Sequence, residues 1–254
     1  MRFLRHCPAS IAWAAAAFAP LDMAQANSGD TGGDAREVSD EFQIAAEVML
    51  LSDYRFRGVS YSHGSPVAQG MLSLVHESGF YGGIFASSLG NHDYYGAVEV
   101  DLFAGWAGIV APGISADLTL LYYYYPDASA SISPRPHSFE AAAQFSGNVG
   151  PVQPTVGIWY AWEQEPLGGR DNLYLFSDVV AGIPKTPLSV KLHGGYTRGA
   201  YSLASGRKTF DWSAGLMFDA GSGVHLGIDY IGMSGPKLDD YTDDTVMVGL
   251  AVQF

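Results

Sequence analysis

Residues 95–107 read Tyr-Gly-Ala-Val-Glu-Val-Asp-Leu-Phe-Ala-Gly-Trp-Ala. Val98, Val100, Leu102, Ala104 and Trp106 occupy the even positions, and Glu99 and Asp101 fall between them. Successive side chains of a β-strand point to opposite faces, so this stretch carries one apolar face and one acidic face. The same alternation recurs outward from it. In 209–218, Phe210, Trp212, Ala214, Leu216 and Phe218 oppose Asp211, Ser213 and Gly215; in 224–230, Val224, Leu226, Ile228 and Tyr230 oppose His225 and Asp229. Leu188, Val190, Leu192 and Tyr196 oppose Ser189, Lys191 and His193, and Val246, Val248, Leu250, Val252 and Phe254 oppose Gly249, Ala251 and Gln253.

A soluble sandwich shows this pattern with its apolar face turned inward, and a membrane barrel shows it with that face turned to lipid. Segment length separates the two. Strands are expected at 43–52, 67–76, 80–88, 95–108, 115–125, 138–146, 152–162, 172–181, 188–196, 209–218, 224–232 and 245–254. Most match the roughly 9–11 residues a tilted strand needs to cross a bilayer; soluble strands average about 5–6. The connections alternate as well. Those at 53–66, 89–94, 126–137, 163–171, 197–208 and 233–244 are mostly long, whereas 77–79, 109–114, 147–151, 182–187 and 219–223 are tight turns. Long loops at one end and short turns at the other are the pattern of an outer-membrane barrel. The expected fold is therefore all-β: an antiparallel up-and-down transmembrane barrel of twelve strands, with both termini at the short-turn, periplasmic end. Faces are hardest to assign in 67–76 and 172–181, where neither is clearly polar.

Composition supports this reading. Hydrophobic residues make up 48% and charged residues only 15%, which excludes a disordered chain. The net charge of −13 comes without any basic patch, so nucleic acid is not an expected partner. Arg2 and Arg5, the apolar run Ile11 to Leu21 and the small-x-small site Ala24-Gln25-Ala26 read as a secretory signal over 1–26. The single cysteine, Cys7, leaves with that leader. Residues 27–42 are Gly- and Asp-rich at their start and are expected to form a flexible lead-in, with the barrel over 43–254. Phe254, closing an alternating strand, fits the assembly signal read by the barrel-assembly machinery.

Several stretches resemble the TorF-type family of bacterial outer-membrane porin-like proteins. They are Ser52-Asp53-Tyr54-Arg55-Phe56-Arg57-Gly58-Val59-Ser60, Ser65-Pro66-Val67-Ala68-Gln69-Gly70, His76-Glu77-Ser78-Gly79-Phe80-Tyr81-Gly82-Gly83, Glu99 to Trp106 and Leu121 to Pro126. The Tyr-Arg-Phe-Arg-Gly run is the most specific of them. The resemblance implies an outer-membrane barrel with porin activity and brings no catalytic residues.

With the apolar face on lipid, the polar face lines the lumen. The expected lumen residues are Glu47, Glu99, Asp101, Glu140, Lys191, His193, Asp211, His225 and Asp229, whose acidic excess would favour cations. Arg55 and Arg57, in the first long loop, are candidates to fold inward as a constriction; the alternative is that they are surface charges or structural ion pairs. Tyr122, Tyr124, Trp159 and Trp162, with Tyr123, Tyr125, Tyr160, Tyr54 and Phe56, are expected in an aromatic girdle at the bilayer interface. Asp239, Asp240, Asp243 and Asp244 make the last long loop acidic, without calcium-loop spacing. No nucleophile elbow, zinc-protease motif or phosphate loop occurs, so no enzyme, metal or cofactor is expected. His76, Glu77 and Ser78 are expected to diverge across a tight turn, and Ser62-His63 lacks an orienting acid.

The function expected is passive diffusion of small hydrophilic solutes with a mild cation preference, in contact with outer-membrane lipid and lipopolysaccharide. The alternative is a plugged barrel with an envelope-structural or surface-interaction role. Met49, Leu51, Leu121 and Tyr123 on the inward face favour plugging, whereas Ala45, Gly105, Ala142, Gly215, Gly249 and Ala251 favour an open lumen.

Overall fold

A computed structural model of the chain describes residues 37–39, 41–92, 94–203 and 208–254. The proposed leader and most of the 27–42 segment lie outside the described residues. Twelve long strands follow one another: β1 Phe42–Leu51, β2 Val67–His76, β3 Phe80–His92, β4 Gly96–Ala111, β5 Ile114–Tyr124, β6 Ser138–Gly147, β7 Val152–Gln164, β8 Arg170–Gly182, β9 Leu188–Gly199, β10 Lys208–Gly221, β11 Val224–Ser234 and β12 Thr245–Gln253. Each pairs antiparallel with its neighbour in sequence, and β12 returns to β1 in the register Gly249↔Leu51 to Gln253↔Glu47. The barrel is closed. Closure satisfies every ladder hydrogen bond within the wall, which is the condition for crossing hydrocarbon with strands.

Exposure decides between sandwich and barrel. Leu102 is 53% exposed, while Glu99 and Asp101 on the same strand are each 1% exposed. The same inversion runs around the wall: Val48, Leu50, Leu72, Leu118, Leu120, Leu192, Leu216, Ile228 and Val248 face outward. An apolar belt of that extent belongs against lipid, not water. In the two strands hardest to read, Val67, Gln69 and Ser73 of β2 and Asn172, Tyr174, Phe176 and Val180 of β8 point inward.

The lead-in is not wholly unstructured. Glu37–Ser39 forms a short strand on β1, in the register Glu37↔Gln43 and Ser39↔Phe42. The cause lies in strand lengths. Pairing with β12 and the following Phe254 stops at Ala46, so the start of β1 has a free edge that a neighbouring segment fills.

Short turns join the strands at the end where β1 begins and β12 stops. Gly79, at φ +92°, closes the β2–β3 turn against the Ala107 carbonyl, where a Cβ would collide. The Gly79 amide donates to the His76 carbonyl at 2.9 Å, and the Ala107 amide donates to the Gly79 carbonyl at 2.9 Å.

Candidate functional site

The first long loop does not stand out from the barrel; it folds into it. Arg55–Phe56 and Val59–Ser60 form a two-stranded hairpin. Arg57 and Gly58 at its tip have φ of +52° and +81°, the pair of positive values a tight two-residue hairpin turn requires. Gly58 is needed for a second reason: a Cβ there would meet Met233 Cβ at 2.9 Å. The Tyr-Arg-Phe-Arg-Gly run is therefore the sequence of an inward-folded hairpin.

Polar groups inside the loop hold its shape. Asp53 accepts bonds from Ser60 Oγ at 2.6 Å, Ser62 Oγ at 2.9 Å and the Arg55 guanidinium. Arg55 also donates to the Gly58 carbonyl, and to the carbonyls of Tyr241 and Asp243 in the last long loop at 3.3 and 2.9 Å. Ser60 N donates to Tyr241 O at 2.8 Å, so the first and last long loops are bound together. The four aspartates of that last loop are exposed, as expected of a solvated segment.

Arg57 crosses to the opposite wall. Its Nη2 donates to both oxygens of Glu140, at 3.0 and 2.8 Å, and Tyr123 Oη donates to Glu140 Oε2 at 2.7 Å. The guanidinium also lies over the rings of Phe56, Tyr174 and Tyr201, with 4.5, 4.4 and 5.3 Å to their centroids. Both partners of the pair are fully buried, so neither has water to fall back on. Beside it, Tyr125 Oη donates to Glu99 Oε1 at 3.3 Å.

The other expected lumen residues also point inward but fall into separate groups. His193 contacts Asp178 through Nδ1 at 2.6 Å and Asp211 through Nε2 at 2.8 Å, with Tyr174 Oη on Asp211 at 3.0 Å. Lys191 pairs with Asp229 at 2.9 Å. His225 is buried opposite Ala251, and Glu47 lies across from Gln253. Among the described residues, the inward carboxylates without an ion pair include Glu47, Glu99, Asp101 and Asp117.

Asp53, Tyr81, Asp117, Tyr174 and Asp178 were not among the sequence candidates. Asp117 accepts Tyr81 Oη at 3.0 Å and Thr119 Oγ1 at 2.6 Å. A signal for Asp178 existed, because it shares parity with Asn172 on β8. The bulky Tyr174 and Phe176 between them hid it.

Packing differs along the axis. Towards the long loops, Met49, Leu51, Glu99, Asp101, Leu121, Tyr123, Glu140, Trp159 and Tyr174 are all buried. Towards the short turns, half-buried Ala45, Glu47, Gln153, Thr155 and Gly157 alternate with buried Ala107, Asp117, Val180, Ser189, Met217 and His225. The hairpin and the aromatic side chains around it fill the lumen at the long-loop end.

The aromatic girdle needs correcting. Tyr122, Tyr124 and Trp162 do face outward, and Phe139 joins them, 4.5 Å from Tyr122 and 5.9 Å from Trp162 between ring centroids. Trp159 instead points into the barrel, between Ala142 and Tyr174 of the flanking strands. The small Ala142 leaves room for the indole. Tyr54, Tyr123 and Tyr125 are also buried inside. Tyr95, in the β3–β4 loop, is half-buried against them, and the loss of solvent pushes its phenol up to about 12.

Two further expectations change. His76 Nδ1 and Ser78 Oγ meet at 2.6 Å across the short turn instead of diverging. Ser62 Oγ is spent on Asp53 and the Ser65 carbonyl, which makes it a loop brace.

A family profile described as "Bacterial protein of unknown function (Gcw_chp)" matches residues 35–252. The chain belongs to this family. Its barrel is similar to the NanC porin, with TM-score 0.55 and 10% sequence identity over 83% of this chain and 98% of that one. It is also similar to the KdgM porin solved in complex with disordered oligogalacturonate, with TM-score 0.53 and 7% identity over 83% and 97% of the two chains. No curated protein matches the sequence. The Gcw_chp chain thus has the fold of porins.

Proposed function

We propose that this Gcw_chp protein is an outer-membrane channel for small hydrophilic solutes, cation-preferring, whose conductance is limited by the first long loop. The observation that carries the reading is the Arg57–Glu140 clamp seated inside a closed barrel. The clamp holds the hairpin across the lumen, as a constriction would. Cation preference follows from the balance of side chains: Arg55, Arg57 and Lys191 each meet one carboxylate and His193 lies between two, which leaves Glu47, Glu99, Asp101 and Asp117 without a basic partner. Fixed charge in a low-dielectric passage concentrates counter-ions.

This reading fits the resemblance to TorF-type porins, and it sets the partners. The outward apolar belt contacts lipid, with lipopolysaccharide in the outer leaflet. Phe254, exposed beyond β12 and tied to Ala46 by backbone bonds of 2.9 and 3.3 Å, is the element offered to the barrel-assembly machinery.

A second reading, a plugged barrel with a structural or surface-interaction role, is favoured by the dense packing of the outer half. Planar-bilayer recording of the refolded protein separates them. Single-channel steps are expected, with a reversal potential of cation sign under a salt gradient; their absence across salts and voltages leaves the plugged barrel. With steps present, Glu99→Gln with Asp101→Asn is expected to move the reversal potential towards zero. An unchanged value removes this pair from the pathway.

A further inference from the structure

The lipid-facing side of β9 and β10 changes character at its long-loop end. Arg198 and Lys208 stand directly opposite each other in the antiparallel register, and both are exposed. Alternation puts them on the outer face of the wall, because Thr197 and Thr209, the next pair down, are buried inside. The outward pair below is Tyr196 and Phe210, with ring centroids 5.0 Å apart. Lys208 Nζ lies 5.9 Å from the centre of the Tyr196 ring, so this side chain follows the outer wall. Further down, Leu192 and Leu216 continue the apolar belt.

Height places the two cations at the edge of the hydrocarbon. Leu188, at the other end of β9, is ten residues from Arg198. At about 3.3 Å per residue and a tilt near 40°, that is roughly 25 Å along the membrane normal, the height of a barrel's apolar band. With the short turns on the periplasmic side, Arg198 and Lys208 face the headgroup layer of the outer leaflet.

Like charges directly across a ladder destabilise it unless something offsets them. The barrel offers no offset here. Among the described residues, neither side chain has an acid within ion-pair distance. Asp171 on neighbouring β8 lies 3.5 Å from Tyr160 Oη instead, and Lys237, also at the long-loop end, meets Asp244 at 3.5 Å. A chain of net charge −13 thus keeps two unpaired cations side by side on its outer wall. An anion bridging them would remove the repulsion. The guanidinium fork suits two phosphate oxygens, and the ammonium takes another as a point charge.

The apolar surface beneath selects the source of that phosphate. A soluble anion would gain nothing from Phe210, Leu192 and Leu216, whereas a phosphorylated lipid engages both parts. We infer that Arg198 and Lys208 hold a phosphate of lipid A, the membrane anchor of lipopolysaccharide, with its acyl chains along Phe210, Leu192 and Leu216. The inference rests on the outer-membrane orientation and deepens the lipopolysaccharide contact proposed above by naming its residues; conduction does not enter it.

The refolded barrel in uncharged detergent is titrated with diphosphoryl lipid A and followed by native mass spectrometry. Dephosphorylated lipid A, phosphatidylglycerol and inorganic phosphate are titrated in parallel. Saturable binding of diphosphoryl lipid A is expected, weakened about tenfold or more when Arg198→Gln is combined with Lys208→Gln. Each single change should weaken it by a smaller factor, which reads the site even where the double variant folds poorly. Lys208→Arg should keep most of the affinity, because the charge stays. Lys185→Gln, an exposed position in a short turn at the opposite rim, should leave it unchanged. Heat-modifiable gel mobility checks that each variant is folded. The inference is overturned by no saturable binding of lipid A, or by binding that the glutamine variants leave unchanged. It is equally overturned if dephosphorylated lipid A, phosphatidylglycerol or inorganic phosphate binds as tightly. A barrel that conducts but binds no lipid A refutes the site and keeps the channel; one that binds lipid A but never conducts does the reverse.

Discussion

Replacing Arg57 with alanine is expected to raise single-channel conductance several-fold and to lower the stability of the folded barrel. The two effects share one cause. The guanidinium supplies both hydrogen bonds that tie the hairpin to Glu140, at 3.0 and 2.8 Å, and its removal leaves that carboxylate buried without a cation. Breaking a buried pair from one side costs about 3–5 kcal/mol, far more than a surface pair. The stacking of Arg57 on Tyr174 and Phe56 is lost as well. Glu140→Gln in the Arg57→Ala background should recover much of the stability, because the stranded charge is gone, while conductance stays high, because the hairpin is still unclamped. The measurements are planar-bilayer recording and urea titration in lipid vesicles. A wild-type conductance in Arg57→Ala would show that the hairpin does not limit flow.

The second large effect concerns the outer surface. Leu102→Lys places an ammonium on the lipid side of β4, where Leu102 is 53% exposed. A lysine facing mid-bilayer costs a barrel about 2–4 kcal/mol. The folded fraction in vesicles should fall accordingly, read as heat-modifiable mobility. Ser213→Lys, which projects inward from β10, is expected to fold with a much smaller penalty if the lumen admits water near it. Equal losses at the two sites would contradict the assigned faces.

The wall of this protein was legible in sequence because a lipid-facing strand obeys two simple constraints at once, period-two alternation and bilayer length. β4, β10 and β12 satisfy both, and their inward residues fall where alternation puts them. β2 and β8 gave no clear polar face, since the lumen side of each carries Val67, Met71, Tyr174 or Phe176 where a water-lined face would carry polar groups. Trp159 failed for the same reason: a large aromatic near a strand end reads as an interface anchor unless the small residue opposite, Ala142, is known. The loop-borne part of the site was half visible. That Arg57 could meet an inward carboxylate was an open option. That its partner would be Glu140, 83 positions away, depends on the shape of a hairpin that no periodicity encodes. The partnering of Arg55 with its own loop's Asp53 and with the backbone of the last loop was equally out of reach.

The bonds between the first and last long loops have a consequence for biogenesis. Arg55 and Ser60 reach carbonyls at Tyr241 and Asp243, in the connection between β11 and β12. Those carbonyls arrive beside the hairpin only when the final strand has zipped onto β1, so the hairpin of the first-made loop is seated by the last-made seam. Seating of the hairpin thereby reports that the cylinder is complete, and an unfinished barrel leaves the hairpin unfastened. During refolding, a thiol at the buried Val59→Cys position should become protected from alkylation only after β12 has joined β1.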